Sequence, residues 1–401
     1  MQNGIEFEHI TTDQGLVDFC EEVRGCEFIG FDTEFVSESR YRPQLCLVQV
    51  AADGRYAIID TLAVKDISVF WELLVEGDHV TVVHAAREEF MFCYRACGRR
   101  PKKLFDVQLG AGMTGLEYPA SYGNLVSRLL GSRVDKGETR TDWMRRPLSK
   151  RQIDYALSDV THLKGLFEVV SDNLGKLKRM AWFEEEMDIW QNSLEKTENE
   201  PQWQRVAGIS NLNRRALAIV RELWIARDKE AEKKNRAAKR ILPDDLLVEL
   251  AKRGTPEISR MKAIRGFDHR VSKNMVEPIA KAIDEANQLS DRDCPKRMPR
   301  GKTMNLGLLG QFLTTALAVV CKTESIAPNI VGTSQDVRTM AAWRLGMIEL
   351  SSPPSLADGW RAEIVGQLID RVLDGSIGIR VGNPKSDQPL SLEYLDGAKE
   401  Q

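Results

Sequence analysis

A short apolar stretch that carries two acids, residues 29–35 (Ile-Gly-Phe-Asp-Thr-Glu-Phe), constrains the fold more than any other feature of the sequence. Its length, its apolar and aromatic residues, and the flanking Gly25 and Ser37 predict a buried β-strand. Because successive side chains on a strand point to opposite faces, Asp32 and Glu34 lie on one face. Two adjacent carboxylates on a core strand repel each other and resist burial, which favours a divalent cation bound by their oxygens. The alternative is a turn capped by one acid, with the other acid in solvent.

The remainder of the first half mixes strand patterns with helical patterns. Strand patterns at 45–51 and 56–60 are separated by an Asp-Gly pair at 53–54, which is a hairpin-turn signal. A further strand pattern at 80–84 leads directly into a helical pattern, and residues 107–190 are mostly helical with short breaks. This mixture predicts one α/β domain with a mixed sheet, in which 45–51 and 56–60 are antiparallel neighbours.

The composition of the 401 residues limits the class of protein. A hydrophobic content of 42% is compatible with packed cores in two or three domains and excludes global disorder. The formal net charge of −3 excludes a generally basic nucleic-acid binder but permits a local basic patch. We expect a cytoplasmic protein without membrane contact, because no apolar run is long enough to cross a bilayer and the N-terminus lacks a secretory-signal pattern. The seven cysteines include no Cys-x-x-Cys pair and are expected to be reduced.

Two further groups of polar residues lie at a helix start and on a late helix. His84, Glu88 and Glu89 occur where a strand pattern becomes helical, and Glu89 lies about one turn into that helix, within reach of the sheet edge. Tyr155 and Asp159 are four residues apart and therefore share a helix face. Each group also has a purely structural explanation, because acids in a first helical turn favour the helix dipole and a phenol can hydrogen-bond an acid.

In this order, the three acidic groups resemble the motifs of the DEDDy class of 3′-to-5′ exonucleases and, within it, of the ribonuclease D family. That family has Asp-x-Glu on a strand, His-Ala-x-x-x-Asp at a helix start and Tyr-x-x-x-Asp on a late helix. The resemblance implies an RNase H-like α/β exonuclease domain with a mixed sheet, for which we predict the bounds 1–195. The stretches of this sequence that resemble the family are residues 31–36, 41–45, 84–89, 139–143, 146–149 and 155–159.

The resemblance also implies a mechanism, namely phosphodiester hydrolysis at RNA 3′ ends with two divalent metal ions, Mg²⁺ or Mn²⁺. Asp32 and Asp159 would hold the ion on the side of the attacking water, and Glu34 would share that ion. Asp32 would also bridge to the second ion, on which Glu89 would act directly or through water. Tyr155 would hold and orient the attacking water.

Glu89 departs from the family pattern, which has aspartate at this position. The charge is kept, but the carboxylate lies one methylene further from the backbone, and Mg²⁺ requires near-ideal octahedral geometry. Action through a water molecule would tolerate the longer side chain. Asp106 is a second carboxylate that could compensate, although the family places a structural acid there.

Substrate contacts are expected from four further residues near the motifs. Phe35 is predicted to pack against the terminal base, and Gln44, His84 and Arg140 are predicted to contact the strand. By family analogy, we expect the substrate to be structured RNA such as tRNA precursors. We also expect the protein to be a monomer.

The second half of the sequence predicts two all-α domains. A polar, acidic stretch at 192–204 is expected to be a linker or a helix end with a loop. Helical patterns follow it, and after a second break at 290–302 the same plan recurs, while the polar residues beyond 382 are expected to be frayed. Two helical modules after such an exonuclease domain resemble the paired HRDC domains of ribonuclease D, here at 205–290 and 304–385.

A basic segment in the first helical module is a candidate for nucleic-acid contact. Phosphate contacts would make binding salt-sensitive without reading the base sequence. The alternative is a solvated helix face, because Glu230 and Glu232 lie in the same segment. The basic residues are Arg227, Lys229, Lys233, Lys234, Arg236, Lys239 and Arg240.

Two other functions are compatible with the same motifs. A nucleic-acid-binding scaffold with a decayed catalytic centre would explain Glu89, although four of the five expected side chains are unchanged. A 3′-to-5′ DNA exonuclease of the same class is the other alternative, because only contacts to the ribose 2′-hydroxyl distinguish the two backbones.

Overall fold

A computed structural model of the chain forms two compact units. None of the helices in its described ranges is long and apolar enough to cross a membrane. The described parts of Met1–Glu34, Leu47–Gln191 and Thr303–Gln401 form the first unit, and those of Phe35–Cys46 and Asn192–Lys302 form the second. All seven cysteines are free thiols, as predicted. The residues described are 5–134, 141–296, 306–365 and 367–395.

The predicted mixed sheet is present, and the described residues contribute six strands to it. They are β1 (Glu8–Ile10), β2 (Phe28–Val36), β3 (Gln44–Ala52), β4 (Arg55–Asp60), β5 (Val80–Val83) and β6 (Leu104–Asp106). Their spatial order is β1-β4-β3-β2-β5-β6, in which β5 is parallel to β2 and β6, and β3 is antiparallel to β4. Because parallel strands end at one edge of a sheet, the acidic half of β2 lies at the same edge as the residues that follow β5.

The connection between β3 and β4 is the predicted Asp-Gly hairpin. Asp53 and Gly54 have φ angles of 43° and 92°, the left-handed conformation that favours two-residue hairpin turns. The hairpin sets a register in which Ala52 lies opposite Arg55 and Leu47 lies opposite Asp60.

Within the described part of residues 5–199, eight helices accompany the sheet. They are α1 (Asp13–Val23), α2 (Ser68–Glu76), α3 (Arg87–Cys97), α4 (Val107–Met113), α5 (Tyr122–Leu125), α6 (Lys150–Thr161), α7 (Leu163–Lys176) and α8 (Met180–Asn199), with a π-helical turn at Val126–Leu130. Phe31 of β2 packs edge-on against Phe70 and Trp71 of α2, with ring centroids 5.7 and 6.1 Å apart. On the other face of β2, a Cβ atom at Gly30 would lie 3.1 Å from Leu163. The acids of β2 therefore share their face with the junction of α6 and α7.

The second unit is helical. A buried core forms around helix α9. Asn213 caps the start of this helix, because its side-chain oxygen accepts a 2.8 Å hydrogen bond from the N–H of Ala216. The loop after β2 belongs to this unit, where the Tyr41 hydroxyl donates a 2.8 Å hydrogen bond to Asp228. The helices are α9 (Arg214–Lys233), α10 (Ala238–Ile241), α11 (Asp244–Arg253), α12 (Ile258–Lys262), α13 (Phe267–Arg270) and α14 (Lys273–Gln288).

The C-terminal part of the first unit adds a β-hairpin to the predicted helices. Its elements are α15 (Gly307–Thr323), α16 (Pro328–Val331), α17 (Ser334–Arg344), α18 (Gly359–Val365), α19 (Leu368–Leu373), β7 (Ile377–Val381) and β8 (Leu390–Tyr394). Strands β7 and β8 are antiparallel, with Ile377 opposite Tyr394. The expectation of a frayed chain beyond residue 382 is wrong for β8, because its backbone is paired with β7.

Buried polar contacts join this C-terminal part to α8. The carboxylate of Glu186 accepts hydrogen bonds of 2.6 and 2.8 Å from the guanidinium of Arg361 and one of 3.0 Å from the indole N–H of Trp360. The guanidinium of Arg179, only 4% exposed, donates a 2.7 Å hydrogen bond to the carbonyl of Ser325. The C-terminal helices are therefore held in the same compact unit as the sheet.

Candidate active site

Three of the predicted site residues, Asp32, Glu34 and Asp159, form one cluster, which we call the acidic triad. One carboxylate oxygen from each lies within 4.8 Å of the others. Asp32 and Glu34 are on β2, and Asp159 is in the last turn of α6. The start of α6 is fixed by a capping box, in which Ser149 and Gln152 bond reciprocally at 2.9 and 3.2 Å. The two acids of the strand and the acid of the helix therefore converge, as their spacings in the sequence predict.

Burial and mutual repulsion disfavour the charged forms of the acidic triad. Burial, together with the charge of Asp159, raises the pKa of Asp32 well above its ordinary value. Burial, followed by the charges of Asp32 and Asp159, raises the pKa of Glu34 to about 9. Burial raises the pKa of Asp159 to about 7. A hard divalent cation prefers carboxylate oxygens and offsets their repulsion, so this donor set fits Mg²⁺ or Mn²⁺.

Glu89 lies beside the acidic triad but is not one of the three clustered acids. Its side chain is 5% exposed, and its Oε1 accepts a 2.6 Å hydrogen bond from the hydroxyl of Thr33. Burial, followed by the charge of Asp32, raises the pKa of Glu89 to about 8. The charge of Asp32 therefore acts on the carboxylate of Glu89. The hydrogen bond of that carboxylate is made with Thr33, which lies between the two acids of β2.

Tyr155 lies one helical turn before Asp159, as its spacing predicts. Its hydroxyl lies close enough to the carboxylate of Asp159 to lower the pKa of that acid against the effect of burial. Burial, followed by the charges of Asp159, Glu34 and Asp32, raises the pKa of Tyr155 above its ordinary value. The side chain therefore carries its proton at neutral pH and can hold a water molecule near the acidic triad, but it is a weak general base.

His84 and Asp106 have structural partners next to the cluster. The Nε2 atom of His84 lies 2.9 Å from the carbonyl oxygen of Ala120. The carboxylate of Asp106 accepts hydrogen bonds from the backbone N–H groups of Ala85 and Ala86 at 3.0 and 3.1 Å. Asp106 therefore holds the start of α3 and lies outside the acidic triad. Its compensation for the longer side chain of Glu89 stays a prediction.

The other predicted substrate contacts lie on the strands that flank the loop after β2, or outside the described residues. Phe35 follows Glu34 on β2. Gln44 begins β3, and its side-chain amide donates a 3.2 Å hydrogen bond to the carbonyl of Leu45. Arg140 lies outside the described residues. Their contacts with a substrate stay predictions.

The basic segment of the second unit is partly engaged in ion pairs. Lys234 pairs with Glu230 at 2.6 Å, and Lys239 pairs with Asp244 at 3.2 Å. Arg227 is 4% exposed and bonds Asp244 at 2.6 Å, so the sequence-based inclusion of Arg227 in a surface patch is wrong. The exposed members are Lys229, Lys233, Arg236, Lys239 and Arg240.

Two side chains that support the elements carrying the acidic triad were not predicted from the sequence. Tyr122 of α5 lies between His84 and the end of α6, with its hydroxyl 3.2 Å from the backbone nitrogen of His162. Arg146 donates hydrogen bonds of 2.5 and 2.8 Å to Asp60 and so fixes the segment that leads into α6. The only sequence signal for either residue was that Arg146 lies in one of the family-like stretches.

Comparison with known proteins agrees with the fold and with the expected domain types. The model of a 3′-5′ exonuclease family matches residues 7–174, and the model of the HRDC domain matches residues 216–283. The chain is 32% identical over 378 residues to ribonuclease D of Granulibacter bethesdensis, which covers 93% of this chain and 94% of that protein. It is 33% identical over 382 residues to ribonuclease D of Sphingobium indicum, covering 93% and 96%.

The fold is also similar to a solved structure. The crystal structure of Escherichia coli RNase D matches with a TM-score of 0.80 and 23% identity, covering 92% of this chain and 99% of that one. The predicted fold, an exonuclease domain with a mixed sheet followed by an HRDC helical region, is therefore confirmed.

Proposed function

The chain belongs to the ribonuclease D family of 3′-to-5′ exoribonucleases, and we propose that it uses two divalent metal ions, Mg²⁺ or Mn²⁺, held by the acidic triad, to hydrolyse the terminal phosphodiester of RNA. The observation that carries this proposal is the convergence of three carboxylate oxygens within 4.8 Å. Such a cluster of partly buried acids is unfavourable by itself, and a pair of hard cations is the ligand that its donor atoms suit best.

The residues of the site are proposed to have separate roles in metal binding and in positioning the attacking water. Asp32 and Asp159 would hold the metal on the side of the attacking water, and Glu34 would complete that set. Tyr155, protonated and close to Asp159, would hold the attacking water in line with the phosphorus atom. Bound metal would lower the pKa of that water and neutralise charge on the leaving 3′ oxygen.

Glu89 is proposed to act on the second ion through a water molecule. Its bond to Thr33 and its position outside the closest three acids support an indirect role over direct ligation. This role would tolerate the longer side chain that replaces the family aspartate.

The substrate is proposed to be structured RNA, including tRNA precursors. The E. coli structure is described as an exoribonuclease involved in structured RNA processing, which supports this substrate class by relationship. Phe35, Gln44, His84 and Arg140 remain candidates for contact with the 3′ end. The exposed lysines and arginines of 229–240 remain candidates for phosphate contact.

The arrangement of domains is also part of the proposal. We assign the exonuclease domain to 1–195 and HRDC-type domains to 205–290 and 304–385. The match of the HRDC model to 216–283 supports the first helical domain. Action as a monomer in the cytoplasm, without membrane association, completes the proposal.

An exonuclease assay tests the proposed function. The substrate is 5′-labelled single-stranded RNA, with a DNA copy beside it, incubated with Mg²⁺, with Mn²⁺ and with chelator. The wild type is expected to give a ladder of 3′-shortened RNA that disappears with chelator, and Asp32→Asn, which keeps the shape of the side chain, is expected to give none. Trimming of DNA alone would favour the DNA exonuclease. RNA binding without cleavage under either metal would favour the decayed scaffold.

A further inference from the structure

The helix that carries Asp159 stops two residues after it. Helix α6 ends at Thr161, and α7 begins at Leu163, so His162 lies at a break between them. The hydroxyl of Tyr122 accepts a 3.2 Å hydrogen bond from the backbone N–H of His162. The same N–H also bonds the carbonyl of Val160, so the phenol adds a second acceptor from another part of the chain. Tyr122 therefore bonds the backbone three residues beyond Asp159.

The ring of Tyr122 contacts the histidine of the second acidic motif. The rings of His84 and Tyr122 meet edge to face, with centroids 5.6 Å apart and an interplanar angle of 70°. His84 directly follows β5, which is hydrogen-bonded to β2, the strand of Asp32 and Glu34. Tyr122 thus lies between the sheet side and the helix side of the acidic triad.

The segment that leads to Tyr122 is itself fixed. The carbonyl oxygen of Ala120 lies 2.9 Å from His84 Nε2 and accepts a 2.8 Å hydrogen bond from the side-chain amide of Gln108. Because the carbonyl can only accept, Nε2 of His84 carries the proton in this contact. Two side-chain donors on one carbonyl therefore hold the backbone two residues before Tyr122.

From these contacts we propose that Tyr122 is a positioning residue for the exonuclease reaction, which sets Asp159 relative to Asp32 and Glu34 through the backbone of His162. His84 supports Tyr122 and acts through it, a role that replaces the RNA contact considered for His84 above. This inference rests on the proposed function, because it assigns how the metal-binding geometry of the acidic triad is maintained.

Tyr122→Phe tests the hydroxyl while keeping the ring. Loss of one hydrogen bond at the end of α6 is expected to lower kcat about three- to tenfold. The concentration of Mg²⁺ that gives half-maximal activity is expected to rise. The KM for RNA is expected to stay within about twofold of the wild-type value, because neither Tyr122 nor His162 binds RNA in this proposal. Tyr118→Phe removes a hydroxyl from the same segment and serves as the matched control, with unchanged kcat.

His84 provides an independent pair of variants. His84→Gln retains a side-chain N–H that can reach the carbonyl of Ala120, whereas His84→Ala does not. Partial retention of kcat by His84→Gln over His84→Ala, at equal KM, supports the positioning role. Equal loss in both variants with a raised KM would overturn it and would return His84 to the substrate contacts.

The controls separate this inference from the proposed function. If the wild type trims no RNA with either metal, the proposed function fails and no variant is needed to show it. If the wild type is active and Tyr122→Phe matches it in kcat and in Mg²⁺ dependence, the positioning role is wrong. A rise in KM with unchanged kcat would also overturn it, because that result assigns Tyr122 to RNA binding. Circular dichroism and Tm confirm that each variant is folded.

Discussion

The hydroxyl of Thr33 donates a 2.6 Å hydrogen bond to the carboxylate of Glu89, although Thr33 alternates on its strand with the two acids Asp32 and Glu34. The bond is buried, because both side chains are 5% exposed. Glutamate is one methylene longer than the aspartate that the family motif has at this position. The bond to Thr33 gives the longer side chain a fixed partner beside the acidic triad.

Replacement of Glu89 by glutamine is expected to lower kcat about 10- to 100-fold. This is the usual cost of losing a group that does not bind the metal directly but orients the groups that do. Glutamine keeps the shape and can still accept the hydrogen bond from Thr33, so the loss reports the charge. Glu89→Asp, which keeps the charge, is expected to shift the Mg²⁺ dependence and to retain activity. Single-turnover trimming of labelled RNA over a Mg²⁺ series measures both. Wild-type rates for Glu89→Gln would remove Glu89 from the mechanism.

Loss of the Tyr155 hydroxyl is expected to lower kcat about 10²- to 10⁴-fold, the range for a group that positions or transfers a proton. The ring of Tyr155 lies 6.1 Å from that of Trp143, and phenylalanine keeps this packing. RNA affinity is therefore expected to be unchanged. Measurement of kcat and of RNA binding for Tyr155→Phe decides the matter, and a change confined to binding would contradict the proposed role.

Metal-free protein is expected to lose stability as pH rises from about 4 to about 9. Unfolded carboxyl groups titrate near pH 4, whereas burial and neighbouring charges raise the pKa of Asp159 to about 7 and that of Glu34 to about 9 in the folded chain. The folded state then binds more protons than the unfolded state across this window, so the free energy of unfolding falls as pH increases. Bound metal stabilises the ionised acids and should reverse the trend.

Calorimetric Tm values from pH 5 to pH 9, with chelator and with Mg²⁺, test this pH dependence. The stabilisation by Mg²⁺ is expected to grow with pH. Asp159→Asn removes one of the titrating groups and should flatten the curve measured in chelator. A Tm in chelator that rises over this range would show that other groups dominate.

Disruption of the Arg361–Glu186 pair is expected to destabilise the first unit by about 2–3 kcal/mol, because a largely buried carboxylate loses its guanidinium partner and keeps the weaker hydrogen bond from the Trp360 indole. The two side chains are 14% and 12% exposed. Arg344→Met is the matched control, because the Arg344–Asp370 pair is 36% and 44% exposed and such pairs contribute less than about 1 kcal/mol. Urea unfolding of Arg361→Met and Arg344→Met compares them, and equal effects would contradict the burial argument.

Local spacing accounts for what could be predicted from the sequence. The alternation of Asp32 and Glu34 on a strand, and the four-residue spacing of Tyr155 and Asp159 on a helix, each require only the geometry of one element. The family resemblance then related the two elements. Together they were enough for the mixed sheet, the helical second half and the acidic triad.

Contacts between distant residues account for what could not be predicted. Thr33 and Glu89 are 56 positions apart, and Tyr122 and His162 are 40 positions apart. No periodicity links such pairs, because they meet only after the sheet and helices have packed. The hydrogen bond from Trp360 to Glu186 joins residues 174 positions apart and could not be predicted for the same reason.

The central claim is that the acidic triad holds the catalytic metal ions, and a Mn²⁺ titration tests it most directly. The electron paramagnetic resonance signal of free Mn²⁺, recorded as metal-free protein is titrated, counts the bound ions. We predict two ions for each wild-type chain and the loss of at least one in Asp32→Asn, with the fold retained. Unchanged number and affinity of bound ions in Asp32→Asn, or no binding by the wild type, would contradict the claim.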